Sequence, residues 1–176
     1  MCGIAGMVMA DGKTPPSSAI DTMLAAMAHR GPDGHGRYDA PGIALAQARL
    51  AIIDLQTGDQ PLFGPNGSVL VANGEIYNYI ELKREFPGVN FATKSDCELP
   101  LYAYARDGAR FAHDLRGMYG IAMQTGEGKT YLSRDPFGIK PLYYAQIDGG
   151  VIFASEPEVL LKTGLVNRRI RPKTAN

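Results

Sequence analysis

Cysteine is scarce in this chain: there are two, Cys2 and Cys97, among 176 residues. Thiols so far apart, one of them at the extreme N-terminus, do not form the disulfide framework of a small secreted domain. A reducing, cytoplasmic setting is expected. An excess of charge of one sign is also lacking, since 18 Lys and Arg balance 18 Asp and Glu. That balance argues against nucleic acid or an anionic membrane surface as a partner. No apolar run approaches the roughly eighteen residues of a membrane span. The start has neither the basic region nor the apolar stretch of a signal peptide. The histidines, His29, His35 and His113, share no ligand spacing with the cysteines, so no metal site is expected. Repeats and low-complexity segments are missing too. What remains is 45% hydrophobic and 20% charged, an ordinary globular composition, long enough for one domain with its own core.

Glycine and proline are plentiful, with 21 and 12 residues, and they cut the chain into short elements. "CGIAGMVMA" reads as a first strand buried on both faces. "PSSAIDTMLAAMAHR" reads as a helix capped by Ser17 or Ser18, with Ile20, Met23, Leu24 and Met27 at helical spacing. "RGPDGHG" is too rich in glycine and proline to be regular. "IALAQARLAIID" is one bent strand or a pair. "GDQPLFGPNGSVLVANGEIYN" carries a turn signal between extended pieces and predicts a hairpin. "YIELKREF" suits a short helix. "SDCELPLYAYARDGARFAHDL" predicts a longer one, capped by Ser95 or Asp96, with Glu98 placed for a capping box and Pro100 in the tolerant first turn. "GMYGIAMQ", "KTYLSRD", "PLYYAQI" and "VIFASE" predict an antiparallel meander. "EPEVLLKTG" is a last short helix, and residues 166–176 form a basic tail or the start of a linker. Strands outnumber helices, so the class is α+β.

The placement of Cys2 directly behind the initiator methionine raises a chemical possibility. Cysteine is small enough for Met1 to be removed ahead of it. Residue 2 would then carry a thiol and a free α-amine, with reference pKa values of about 8.5 and about 7.7–8.0. One group can take the other's proton near neutral pH, which makes an activated nucleophile without a histidine. The competing reading is a structural thiol buried in a first strand.

Further motifs bear on that choice. "HRGPDG" at 29–34, "RLAIIDL" at 49–55, "NGEIYNY" at 73–79, "SDCE" at 95–98, "LRGMYGIA" at 115–122, "RDPFGIKPLYY" at 134–144 and "FASE" at 153–156 follow "MCGIAG" in order. Together they resemble the class II glutamine amidotransferase domain, with the nearest likeness to the N-terminal glutaminase domain of glutamine-dependent asparagine synthetases. The likeness runs over residues 1–165. It implies an N-terminal-nucleophile hydrolase fold, a four-layer sandwich of two antiparallel β-sheets flanked by helices. It also implies hydrolysis of the L-glutamine side-chain amide, with ammonia passed to a synthase domain or subunit.

By that resemblance Cys2 is the nucleophile, and Asn73 and Gly74 form the oxyanion hole. Arg49 holds the substrate α-carboxylate, for which a guanidinium offers two parallel donors. Asp96 binds the α-ammonium, with Glu75 in support, and the backbone around Ile53 borders the substrate. Each residue also has a plainer role open to it. Asn73-Gly74 can be a hairpin turn, Arg49 a surface residue and Asp96 a helix cap. Arg30 and Asp33 are expected to pair and pin a loop. Arg134, Asp135 and Gly138 are expected to form a strand-to-turn element that shapes the fold or a domain contact, and Cys97 to be a packed thiol. "GEGKT" at 126–130 lacks the first glycine of a phosphate-binding loop, since Met123 stands there, and reads as a turn. Gly120 departs from the larger residue expected in relatives. No cofactor is expected on this chain; ATP and magnesium would belong to the synthase domain. Asparagine synthesis is the first expectation. Sugar- or peptide-modifying amidotransferases and a non-catalytic glutamine-binding or assembly module that keeps Met1 are the alternatives.

Overall fold

A computed structural model describes residues 1–168 apart from positions 53 and 55. In chain order its regular elements are β1 (Gly3–Met9), α1 (Ser17–Met27), β2 (Gly34–Ala40), β3 (Ile43–Arg49), β4 (Leu62–Phe63), β5 (Val69–Ile76), α2 (Tyr79–Lys83), α3 (Leu99–Asp107), β6 (Gly117–Gln124), β7 (Thr130–Arg134), β8 (Tyr143–Ile147), β9 (Gly150–Ala154) and α4 (Pro157–Lys162). The strands form two antiparallel sheets, ordered β2-β3-β1-β9-β8 and β4-β5-β6-β7.

Strand periodicity explains the layers. Alternate residues of a strand face opposite sides of its sheet. On the first sheet Ala5, Met7, Ala44, Ala46 and Ala48 turn outward and pack with Ile20, Met23 and Met27 of α1 and Val159 and Leu160 of α4. On the second sheet Leu70, Ala72, Ile121 and Met123 pack outward with Leu99, Leu101 and Ala103 of α3. The residues between them, Ile4, Ile43, Leu45, Val69, Val71 and Phe153, fill the space between the sheets. Helix, sheet, sheet and helix make the four layers expected of this sequence. Small alanines on the outward face of β3 let α1 lie close.

Several local expectations are corrected. The start of α1 has no side-chain capping bond because Pro16, which has no side-chain acceptor, holds the cap position, and Ser17 lies one residue inside with its hydroxyl directed to Asp21. Ser95 does cap the turn that precedes α3, accepting from Cys97 N–H at 3.2 Å. Glu98 makes no capping box; it is fully buried and accepts at 2.7 Å from both Ala92 and Thr93 N–H. The long helix predicted over 95–115 ends at Asp107, where Gly108 turns the chain with φ 60°. The last four strands do not make one meander. β6 and β7 pair in one sheet, β8 and β9 in the other, and "RDPFGIKPL" carries the chain across. The "GEGKT" stretch is the β6–β7 turn, closed by Thr125 N–H on Lys129 O at 2.8 Å. At Gly120 a Cβ would meet nothing nearer than 3.6 Å, so sterics do not require glycine there.

The crossover is held by one carboxylate. Asp135, 3% exposed, accepts from the N–H groups of Tyr119, Ile139 and Lys140 at 3.3, 2.9 and 3.0 Å. Arg134 donates to the carbonyls of Lys140 and Gly138 at 2.7 and 2.6 Å. Burial favours the neutral acid, but the N–H donors of Lys140, Ile139, Tyr119 and Phe137 outweigh it and hold the Asp135 carboxyl below its ordinary value. A depressed folded-state value contributes stability above the unfolded value, near about 3.9, and that contribution is lost as pH falls through the folded value. The urea midpoint gap between wild type and Asp135→Asn is therefore expected to be widest near pH 7 and to close below about pH 4. A gap independent of pH would show that the charge of Asp135 is irrelevant to stability.

A second constraint lies at Gly74 of β5. A Cβ there would stand 2.1 Å from Met118 O and 2.5 Å from Tyr119 Cα on β6. Backbone atoms cannot yield as a flexible side chain can. Gly74→Ala is expected to lower unfolding stability by at least about 2 kcal/mol in urea titration, whatever its effect on any activity.

Candidate active site

The alternation that builds the inter-sheet core also builds the site. On β1 the inward series runs Ile4 and then Cys2. On β3 it runs Ile43, Leu45, Gln47 and Arg49; on β5 it runs Val69, Val71, Asn73 and Glu75. At one end of the sandwich the apolar members give way to the polar ones on all three strands. Cys2, Gln47, Arg49, Asn73, Gly74, Glu75 and Asp96 all line a single cleft there. Six of the residues singled out from sequence thus meet in one place. Ile53 lies outside the described residues.

Cys2 is held on both sides. Its sulfur lies 3.3 Å from Leu50 N–H and 3.4 Å from Leu50 O, on the segment that follows β3. Behind it, Arg30 donates from Nε to Cys2 O at 2.9 Å and from a terminal nitrogen to Glu156 at 2.6 Å. Ser155 N–H donates to Ile4 O at 2.8 Å, and Ser155 Oγ accepts from Ile4 N–H at 2.9 Å. Arg30 and Asp33 do not pair, contrary to expectation. Arg30 turns to the N-terminal strand, and Asp33 accepts from Ala51 N–H at 2.8 Å. Both residues still brace the site, each from a different side. Cys97 is a packed thiol, as expected. Burial pushes it well above its ordinary value, with Asp96 and Cys2 adding to the shift, and its sulfur faces Gly74 O at 3.7 Å. The two cysteines therefore differ: Cys2 is half-buried in the cleft, and Cys97 is a buried part of its wall.

Asn73 is 1% exposed, and its Nδ2 has no hydrogen-bond partner. A buried donor left unpaired costs about 1–3 kcal/mol and calls for an explanation. A ligand oxygen seated in the cleft would supply one. Gly74 follows it, and the glycine is required by β6 pressing from behind, not only by anything in front. The plain hairpin-turn reading of Asn73-Gly74 fails, because both lie within β5. Asp96 is 3% exposed and accepts from Ile76 N–H at 2.5 Å. One oxygen thus anchors it to β5, and the residue also lines the cleft. The cap is Ser95, not Asp96.

Arg49 stands at the outer end. It donates to Asp59 at 2.6 Å and to Asp54 O at 2.5 Å. The Asp59 side chain is 82% exposed, so this ion pair is a weak one that a ligand carboxylate can displace. Asp54 is itself tied into the loop by Thr57 and by Lys94 N–H. Sequence reasoning missed Gln47, Gln60, Asp59 and Lys140. Gln47 Nε2 donates to Ala72 O at 3.0 Å, and Gln60 Oε1 accepts from Ala72 N–H at 2.6 Å, so two glutamines grip the residue before Asn73. Gln47 was visible as the lone polar residue in the run "IALAQA". Lys140 is 7% exposed and meets Met1 Sδ at 3.3 Å across the cleft mouth. Among the described residues no group of three or more His, Cys, Asp and Glu side chains is arranged to hold a metal ion, and no helix is long and apolar enough to cross a membrane.

Comparison with known proteins agrees with this geometry. Residues 1–175 match the family model described as a glutamine amidotransferase domain. A glutamine-hydrolysing asparagine synthetase of Bacillus subtilis is 40% identical over 161 residues, covering 89% of this chain and 22% of that protein. One from Oryza sativa is 40% identical over 164 residues, covering 91% of this chain and 28% of the relative. This chain thus spans about a quarter of the length of such relatives. Among solved structures, the glutamine phosphoribosylpyrophosphate amidotransferase of B. subtilis superposes with a TM-score of 0.78 at 22% identity, covering 96% of this chain and 45% of the other. A regulatory enzyme of purine biosynthesis superposes with a TM-score of 0.79 at 22% identity, covering 96% of this chain and 44% of the other. These two show the shared sandwich fold and no more. The family match, the relatives and the convergence of Cys2, Arg49, Asn73, Gly74 and Asp96 lead to one conclusion: the chain belongs to the class II glutamine amidotransferase domain family, alongside the N-terminal domains of asparagine synthetases.

Proposed function

We propose that this chain hydrolyses the side-chain amide of L-glutamine through a thioester on Cys2 and delivers the ammonia to a synthase domain or subunit that makes asparagine. The observation that carries the reading is the unpartnered, buried Nδ2 of Asn73 in the same cleft as the Cys2 sulfur. An amide carbonyl seated between them would face a nucleophile and a donor at once.

The chemistry follows from the groups present. Removal of Met1 frees the α-amine of Cys2, which takes the thiol proton. The sulfur attacks the amide carbon, and the carbonyl electron pair moves to oxygen. Asn73 Nδ2 and the Gly74 N–H receive that charge; losing one such donor typically costs about 10²–10³ in rate. The amine returns its proton to the nitrogen, the C–N bond breaks, and ammonia leaves. Water, deprotonated by the same amine, then cleaves the thioester to glutamate. Arg49 takes the α-carboxylate in place of Asp59. Asp96 and Glu75 take the α-ammonium, and the Ile53 segment completes the wall. ATP and magnesium are assigned to the synthase partner, and the cytoplasm is the proposed compartment. The names of the 40% identical relatives support asparagine over a sugar or peptide acceptor. The alternative is a binding or assembly module that keeps Met1, since with Met1 in place the nitrogen of Cys2 is an amide that cannot act as a base.

Intact mass before and after treatment with a diazo-ketone analogue of glutamine separates the two readings. Loss of one methionine, then a single adduct mapped to Cys2, is expected, with Cys2→Ala giving neither adduct nor ammonia. Retained Met1 with no adduct would favour the module. Kinetics would test the substrate grip. Arg49→Ala is expected to raise KM about 10- to 100-fold, because charge-assisted hydrogen bonds contribute about 1.5–3 kcal/mol. Asp59→Asn should lower KM by up to about fivefold. Unchanged KM in both variants would remove Arg49 from the substrate site.

A further inference from the structure

Gln47 has a feature that the proposed mechanism does not use. It is 1% exposed on the inward face of β3, paired across from Ile4 of β1, and it lines the cleft beside Cys2 and Asn73. Its nitrogen is committed to Ala72 O at 3.0 Å. That bond fixes the amide orientation, because a carbonyl accepts only from the nitrogen end. The other end, Oε1, is buried and has no partner. Asn73 Nδ2, on the facing strand, is also buried and unpaired. Among the buried side-chain atoms of the described residues, the cleft floor therefore holds one unused acceptor and one unused donor. The neighbouring carbonyls of Leu50 and Gly74 already accept from the thiols of Cys2 and Cys97.

An acceptor and a donor left open together are the complement of a primary carboxamide. We propose that Gln47 is the specificity-determining residue for the amide nitrogen, its Oε1 accepting from the NH2 of the bound side-chain amide while Asn73 donates to the carbonyl oxygen. This rests on the glutaminase reading above. It adds discrimination against the product: glutamate presents a carboxylate oxygen to Oε1, acceptor against acceptor with no proton between. The grip on Ala72 does a second job. It ties the acceptor on β3 to the residue next to Asn73 on β5, so the spacing of the two recognition atoms is set by one hydrogen bond.

The test uses the full chain carrying Cys2→Ala, which binds without turnover, and the same chain with Gln47→Met added. Calorimetry compares L-glutamine, L-glutamate and the γ-methyl ester of L-glutamate, which keeps the carbonyl and lacks N–H donors. With Gln47 present, glutamine is expected to bind at least about tenfold tighter than the ester or glutamate, since a buried acceptor left unpaired penalises the ligand that lacks the donor. In Gln47→Met the glutamine-to-ester ratio should fall to within about twofold. A merely structural Gln47 would weaken both ligands equally and leave the ratio intact, which overturns the proposal. Equal binding of glutamine and ester with Gln47 present overturns it while leaving the glutaminase reading standing, and this comparison decides alone if Gln47→Met does not fold. Absence of glutamine binding to the Cys2→Ala chain overturns both.

Discussion

The two-residue period of three facing strands governs almost everything else in this molecule. β1 and β3 present one sheet and β5 presents the other, and their inward residues meet across a gap that must be filled. Over most of its length the gap is filled by Ile4, Ile43, Leu45, Val69 and Val71, all at most 2% exposed. The same three series then change chemistry together. A slip of β3 by one residue against β1 would turn Gln47 and Arg49 toward α1 and drive Ala48 inward. The apolar core thus fixes the register, and the register fixes the site. The chemistry-bearing residues need no special backbone to reach one another; they continue rows whose first members are already locked by burial.

Two bracing systems keep the end of those rows from fraying. One is Arg30, which joins the carbonyl of Cys2 to Glu156 at the head of α4. The other is the crossover built on Asp135, which seats Lys140 at the cleft mouth and carries the chain from one sheet to the other. Neither touches the place where a substrate amide would sit. Both explain motifs that read as scaffold in the sequence, "HRGPDG" and "RDPFGIK": the second makes the expected turn, whereas Arg30 of the first has Cys2 O and Glu156 as partners in place of Asp33.

Much of this was legible before any coordinates. Apolar runs and turn signals marked out β1, β3 and β5 as extended, and the order of short motifs pointed to the family and to six residues that the fold does gather. What the sequence hid was partner choice. Ser17 and Glu98 are good capping residues in isolation, but Pro16 holds the cap position ahead of Ser17, and the 92–93 backbone takes the Glu98 carboxylate. Arg30 and Asp33 are close in sequence and of opposite charge, yet Glu156, far along the chain, claimed the guanidinium. The meander failed because antiparallel strands with short connections look alike whether they share a sheet or change sheets. Gln47 was overlooked although its polarity broke an apolar run at an inward position, which is a readable signal once strand parity is followed.

The place of β1 has a consequence for how the molecule comes into being. The earliest of the described strands lies in the middle of its sheet, between β3 and β9, and Ile4 is joined to Ser155 across 151 positions of sequence. Such distant pairing makes for slow folding, and synthesis itself proceeds at about 5–20 residues per second. The N-terminus therefore emerges long before its neighbour on one side exists. Cys2 is therefore closed into its niche only when the hairpin of β8 and β9 arrives. A chain interrupted before β9 would carry the Cys2 thiol on a strand with one neighbour missing, and the cleft beside it would be incomplete.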